Sequence, residues 1–213
     1  VVMTWDQGGE IVDSKGKIDF DTPAFEKAVD LYTGLYADKS VPTNGDFDQT
    51  QGFISGSTPM LVSGPYLAAA ITQAAPDLAG KWNVTTVPAA KKDTSLLAGS
   101  NLGVWGSTKN KAGALELLDY LSQPDVQVKW YETDGQLPTV KKALDDQKLA
   151  ADPMVAVYTK QLASSRLLPL VPNWDGETGK ALLDSLNSIV LTGANRDDAL
   201  KTLFTATGGT SAK

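Results

Sequence analysis

The run Gln51–Tyr66, QGFISGSTPMLVSGPY, constrains the fold more than any other part of this chain. It reads as a helix end, a turn at Gly56, a short apolar strand over Pro59–Val62 and a sharp turn at Ser63-Gly64. Pro65 and Tyr66 then open a helix, because proline is pre-set for a first helical position and glycine relieves the turn before it. A strand that turns sharply into a helix leaves an aromatic ring beside free backbone N–H groups at the strand's carboxyl end, where open α/β sheets receive ligands. Taken alone, the run favours the plainer alternative, a strand-to-helix connection closed by a core tyrosine.

The remainder of the chain supplies helices and a few strands around it. Ile11–Ile18 reads as a small hairpin about a polar turn. Thr22 is an N-cap with Pro23 behind it, and Phe25, Ala28, Val29, Tyr32 and Leu35 recur at helical steps, predicting a helix over 23–37. Val41–Asn44 is a loop and Asp46–Ser55 a shorter helix. The helix from Tyr66 ends at Ala75, before Pro76. Strands are expected over Trp82–Pro88, which is rich in β-branched residues, and, as a buried strand, over Leu102–Trp105. Helices follow over 111–122, from Pro124 to a stop at Gly135, and over 139–147, 152–164, 177–191 and 196–206. Leu168–Trp174 is extended and pinned by prolines, and the tail Gly208–Lys213 is expected to be disordered. The fold class is α/β.

Composition removes several functions. The 213 residues suffice for one large domain or two small lobes, and 42% hydrophobic with 21% charged is ordinary for a globular chain. A net charge of −6, spread along the sequence, argues against nucleic acid and anionic membranes. No apolar run is long enough to cross a bilayer as a helix. There is no cysteine, hence no disulfide or thiolate chemistry, and no histidine, the commonest general base and metal ligand. Phosphate-cradling glycine motifs are missing. Asp46–Gly52 only echoes a calcium loop, and Asn83-Val84-Thr85 is a chance sequon. Neither a metal nor a cofactor is called for, and no catalytic residue is assigned. The carboxylate pairs Asp145-Asp146, Asp197-Asp198 and Asp6 with Glu10 read as solvated faces rather than a glycosidase pair. The Val1-Val2-Met3 start carries no signal sequence, so the chain reads as a mature or truncated segment.

A different constellation remains. Trp5, Tyr66 and Trp174 sit in loops or at element ends, beside Asp6-Gln7, Ser63-Gly64, Gly99-Ser100-Asn101, Gln136 and Asn173-Asp175. Flat rings suit the C–H faces of a sugar, and amides, carboxylates and hydroxyls suit its hydroxyls. Trp82, Trp105 and Trp130, inside expected strands and helices, read as packing. Trp174 favours stacking on a ligand, Tyr66 stands evenly between stacking and packing, and Trp5 leans to packing. Read physically, the constellation is a cleft fit for a polyol.

The ordered set TPAFEKAVDLYTGLYAD, QGFISGSTPMLVSGPY, KWNVTTVPAAK, AGSNLGVWGSTKNKAGALELLDYLSQPDVQVKWYETDGQLPT and LVPNW resembles the extracellular sugar-binding proteins of ABC importers (family 1) over nearly the whole chain. The resemblance implies a type II periplasmic-binding-protein-like fold, a two-lobed clamp that closes on a carbohydrate and delivers it to the membrane subunits of an ABC permease. It implies an exported protein, periplasmic or lipid-anchored as a lipoprotein. Family chains are longer, so the sequence corresponds mostly to the carboxyl-terminal lobe, with 1–88 its first part, 89–137 a return segment of the amino-terminal lobe and 138–213 the helical part. The missing amino-terminal lobe is then a partner, and hinges fall near Pro88–Lys91 and Gln136–Pro138. By position, Tyr66 replaces a sugar-stacking tryptophan, Gly64 precedes it, Gly99, Ser100 and Asn101 lie on a hydroxyl-contacting loop, Trp174 and Asp175 form an aromatic wall, Trp5 lies on the first loop, and Gln136 belongs to the Gly-x-Leu-Pro motif. Two alternatives stay open: a carboxylate-based glycoside-processing enzyme, and a lobe with a protein–protein role only. With no histidine to titrate, ligand affinity should vary little between about pH 6 and 8.

Overall fold

The structure, a computed structural model, describes residues 1–43 and 48–208. Its helices are α1 (Val2–Asp6), α2 (Pro23–Ala37), α3 (Gln49–Ile54), α4 (Pro65–Ala74), α5 (Lys111–Leu121), α6 (Pro124–Asp134), α7 (Lys141–Leu144), α8 (Gln147–Ala151), α9 (Pro153–Leu162), α10 (Gly179–Thr192) and α11 (Arg196–Thr207). Two short strands, β1 (Ser95–Leu96) and β2 (Ser165–Arg166), pair in parallel with Ser95 opposite Ser165. The chain divides into two compact units, Val1–Asp46 with Pro88–Leu97 and Ser164–Lys213, and Phe47–Val87 with Ala98–Ala163.

In the first unit, α2 forms as its cap predicts: the Thr22 hydroxyl accepts the Phe25 N–H at 3.2 Å and Pro23 occupies the first turn. Its apolar stripe buries Phe25, Ala28 and Val29. Phe25 and Val29 join Ile11, Ile18, Phe20, Val171, Leu182, Leu200 and Leu203 in one core between α2, α10 and α11. Phe25 stacks on Phe20 at 4.8 Å and meets Phe204 edge-on at 6.3 Å. Each such pair is worth about 0.5–1.5 kcal/mol beyond area burial. The 11–18 turn closes as an antiparallel bridge between Val12 and Ile18. Arg196, at the start of α11, reaches across to Asp30 and Glu26 on α2.

The second unit has a smaller core of Val128, Ala143, Leu149 and Val155, from α6 to α9. Asp152 caps α9, accepting from the Met154 and Val155 N–H groups, and takes the Tyr131 hydroxyl at 3.2 Å. Burial and that carboxylate push the Tyr131 phenol up to about 12.

Several sequence expectations change here. The spans 59–62, 82–88 and 102–105 carry no regular secondary structure, and among the described residues the only sheet is the β1–β2 pair. Trp82, Val84 and Thr86 are half-buried while Asn83 and Thr85 are exposed, so the two-residue alternation is real. Alternation marks a face; a ladder also requires a neighbouring strand, and these segments have none. Leu102–Trp105 is therefore not buried: Trp105 is 78% exposed. Trp130, on the outer face of α6, is 53% exposed rather than packed. Helix α5 buries no residue, although Leu115, Leu117 and Leu118 give it an apolar face. The expected helix over 139–147 is cut to the four-residue α7, with α8 beginning only at Gln147, and Trp5, expected in a loop or at an element end, lies one residue before the end of α1. Asn44, Asp46 and Phe47, in the loop and helix expected there, and the tail beyond Gly208 lie outside the described residues.

Candidate functional site

The turn before α4 is built as its residues require. Gly64 is the N-cap and Pro65 the first helical residue, and Gly64 brings no side-chain acceptor to the first turn. The Tyr66 ring folds back over the turn: a Cβ on Gly64 would lie 3.0 Å from its Cε1 and 3.1 Å from its Cδ1. The Ser63 hydroxyl donates to the Tyr66 phenol oxygen at 3.0 Å. Tyr66 nevertheless stays 47% exposed.

Gly135 ends α6 in the left-handed region, at φ 72°, and is buried against α4. A Cβ there would sit 2.4 Å from the Ala69 Cβ and 3.4 Å from the Tyr66 Cα. The contact seats the exposed Gln136 immediately beyond the first turns of α4. Gly135, about seventy residues further along the chain, is thus brought against the first turns of α4, and Gln136 follows it in sequence. Gly99, Ser100 and Asn101 lie on an exposed segment of the same unit.

The first unit holds the other aromatic candidates. Trp174 begins a π turn over Trp174–Thr178 rather than ending an extended segment. Its ring packs at the edge of the core, half-buried, with Gly179 beneath the indole nitrogen, where a Cβ would come within 2.8 Å. Asn173, at φ 51°, sets the entry to the turn and donates to Glu177 at 2.9 Å. Asp175, the next residue after Trp174, is exposed. Trp5 is placed differently: it is 1% exposed, and the Arg166 guanidinium lies over its ring, 4.5 Å from the centroid. Arg166 in turn makes a two-pronged pair with Glu10, at 2.7 and 3.0 Å, which holds the Glu10 carboxyl below its usual range. Trp5 offers a ligand no open face.

A concavity of about 370 Å³ in the first unit was not singled out by sequence. Gln7, Gly8 and Gly9 and the start of α2 line it, and Lys27, Lys91, Glu10 and Asp19 mix both charges around it. Sequence reasoning also passed over Ser63 and Gly135 as partners of Tyr66. The three-residue spacing from Ser63 was the available signal; nothing in the sequence marks the contact between 135 and 66.

In each unit by itself, an aromatic ring can stack on an apolar face and neighbouring polar groups can exchange hydrogen bonds with hydroxyls. Among the described residues, no helix is long and apolar enough to cross a membrane, and no three acidic groups gather as metal ligands.

Comparison with known proteins bears on family and fold. The model of the bacterial extracellular solute-binding protein family matches residues 2–157. A binding protein of Brucella abortus is 27% identical over 203 residues, covering 92% of this chain and 49% of the relative. An ABC transporter solute-binding protein of Thermotoga lettingae, solved with alpha-D-tagatose, superposes with a TM-score of 0.84 at 25% identity, over 97% of this chain and 54% of that one. The sugar-binding protein MalE of Xanthomonas citri superposes with a TM-score of 0.81 at 22% identity, over 97% and 53%. The fold is thus periplasmic-binding-protein-like, and the chain spans about half the length of the curated relatives it matches.

Proposed function

The chain belongs to the bacterial extracellular solute-binding protein family, and from that premise we propose that it is part of the carbohydrate-binding component of an ABC importer. It captures a mono- or oligosaccharide without chemical change and hands it to the membrane permease. The observation that carries this is the turn at 63–66, where a half-exposed aromatic ring is held by the Ser63 hydroxyl and the Gly64 backbone. Within one unit the proposed ligand contacts are Gly64, Tyr66, Gly99, Ser100, Asn101 and Gln136; within the other, taken by itself, they are Trp174 and Asp175. Trp5, buried under Arg166, is a packing residue of α1 and takes no ligand. The protein is exported, periplasmic or lipid-anchored.

The part of the relatives that this chain does not span is read as an amino-terminal half that completes the site. Support comes from the surface left bare around 98–121: Leu102, Trp105, Leu115, Leu117 and Tyr120 are all exposed, and α5 buries nothing. A patch of this kind marks an interaction surface. The segment 89–137 contributes the face on which that half sits. The same observation favours a second reading, in which this chain has a protein–protein role alone.

Titration of tryptophan fluorescence with mono- and oligosaccharides, repeated on Trp174→Ala, separates the two. A saturable response lost in the variant supports sugar capture on this chain. A response that returns only on adding the amino-terminal half assigns this chain the docking role within a sugar-binding protein. No response in either setting removes the sugar assignment.

A further inference from the structure

The Tyr66 ring is held at both ends although it is half-exposed. Its edge lies on the Gly64 backbone, and its hydroxyl accepts a hydrogen bond from Ser63 at 3.0 Å. Behind it, Gly135 backs the Tyr66 Cα through the contact with α4. An exposed tyrosine joined to nothing would sample several rotamers and lose that freedom on binding. Here the ring is already fixed.

We propose that Ser63 and Gly64 are positioning residues that set Tyr66 in its binding rotamer, and that the phenol O–H is thereby directed at an acceptor oxygen of the ligand. This rests on reading the turn as a saccharide contact. The chemistry follows from the donor order. Ser63 donates to the phenol oxygen, so the phenol's own proton is left for another acceptor, and a phenol that is accepting one bond donates the next more strongly. A hydroxyl or ring oxygen of a saccharide supplies that acceptor while its C–H face meets the ring. Neither Ser63 nor Tyr66 is buried, so the bond contributes to presentation of the ring more than to the core.

The test uses the chain with tyrosine selectively labelled, following Tyr66 by NMR, together with binding of maltose and D-tagatose by calorimetry, with the amino-terminal half added where binding requires it. Ser63→Ala should release the ring from a single χ1 rotamer and weaken binding about three- to tenfold, the usual worth of ordering one side chain. Ser63→Thr, which keeps the donor, should restore both. Gly64→Ala should displace the ring by crowding Cε1 and Cδ1 and weaken binding with Ser63 intact. If Tyr66→Ala abolishes binding while Ser63→Ala changes neither rotamer nor affinity, the positioning role is overturned and the contact stands. If Tyr66→Ala binds both sugars as the parent chain does, or neither sugar binds the parent chain, the contact and the positioning role fail together.

Discussion

The backbone N–H of Thr94 donates to the Asp6 carboxylate at 2.8 Å, and Asp6 is only 6% exposed. The Asp6 carbonyl also accepts the N–H groups of Lys91 and Lys92, at 2.8 and 3.2 Å. One residue at the end of α1 therefore fixes the segment 91–94 that leads into β1. Asp6→Ala removes the side-chain acceptor and leaves the Thr94 N–H without it, which costs about 1–3 kcal/mol. Asp6→Asn keeps an acceptor oxygen and should cost clearly less. Urea denaturation at neutral pH measures both, and equal losses would show that the Thr94 bond contributes nothing.

The same carboxylate sets a pH dependence. Burial raises the Asp6 pKa above 3.8, with Asp93 adding to it and the Thr94 N–H opposing it. The unfolded chain thus releases this proton at lower pH than the folded chain. Stability from Asp6 is greatest at low pH and is lost as pH rises through the window above 3.8. Glu10 runs the other way: Arg166 lowers its pKa below 4.5, so its contribution is present above that value and lost as pH falls. Both members of that pair are substantially exposed, so it is worth under about 1 kcal/mol. The difference in unfolding free energy between the parent chain and Asp6→Asn should therefore shift in favour of Asp6→Asn as pH is raised from about 4 to 6. A constant difference across that range would contradict the burial cost.

Gly135 and Gly193 end helices in the same left-handed conformation, at φ 72° and 70°, but in different surroundings. An added methyl at Gly193 meets open space, while at Gly135 it would lie 2.4 Å from the Ala69 Cβ. Gly193→Ala should cost about 1 kcal/mol, the backbone strain alone. Gly135→Ala adds a clash in a packed contact and should cost a further 1–3 kcal/mol, by analogy with about that range for overpacked cores. Thermal unfolding of the two variants makes the comparison.

What could be read in advance follows the range of the interactions. Helix α2 was legible because its cap, its proline and its stripe all lie within fifteen consecutive residues. The stop of α6 at Gly135 was legible for the same reason. The strands were not, since the pattern at Trp82–Val87 reports a half-buried face and says nothing about a partner. At the candidate site, the residue types around Tyr66 were visible, but the contact of Gly135 with α4 joins positions about seventy apart and leaves no local trace. The enclosure of Trp5 depends on Arg166, more than one hundred and fifty residues away. Its neighbours in sequence, Asp6-Gln7-Gly8-Gly9, read equally as a loop.

The five tryptophans differ enough in exposure to be separated by quenching. Trp105 is 78% exposed and Trp130 53%, Trp82 and Trp174 are half-buried, and Trp5 is enclosed under Arg166. Acrylamide should therefore quench the emission in fractions, with Trp105→Phe removing the most accessible component and blue-shifting the remainder. Trp5→Phe should remove an inaccessible component and lower stability, because the ring fills buried space in which a smaller side chain leaves a void costing about 24 cal/mol per Å³. The proposed amino-terminal half makes the decisive contrast. If it covers the 98–121 face, adding it should protect Trp105 from acrylamide and leave Trp5 unchanged. Trp105 remaining fully quenchable in a complex demonstrated by sedimentation would move the docking surface away from that face.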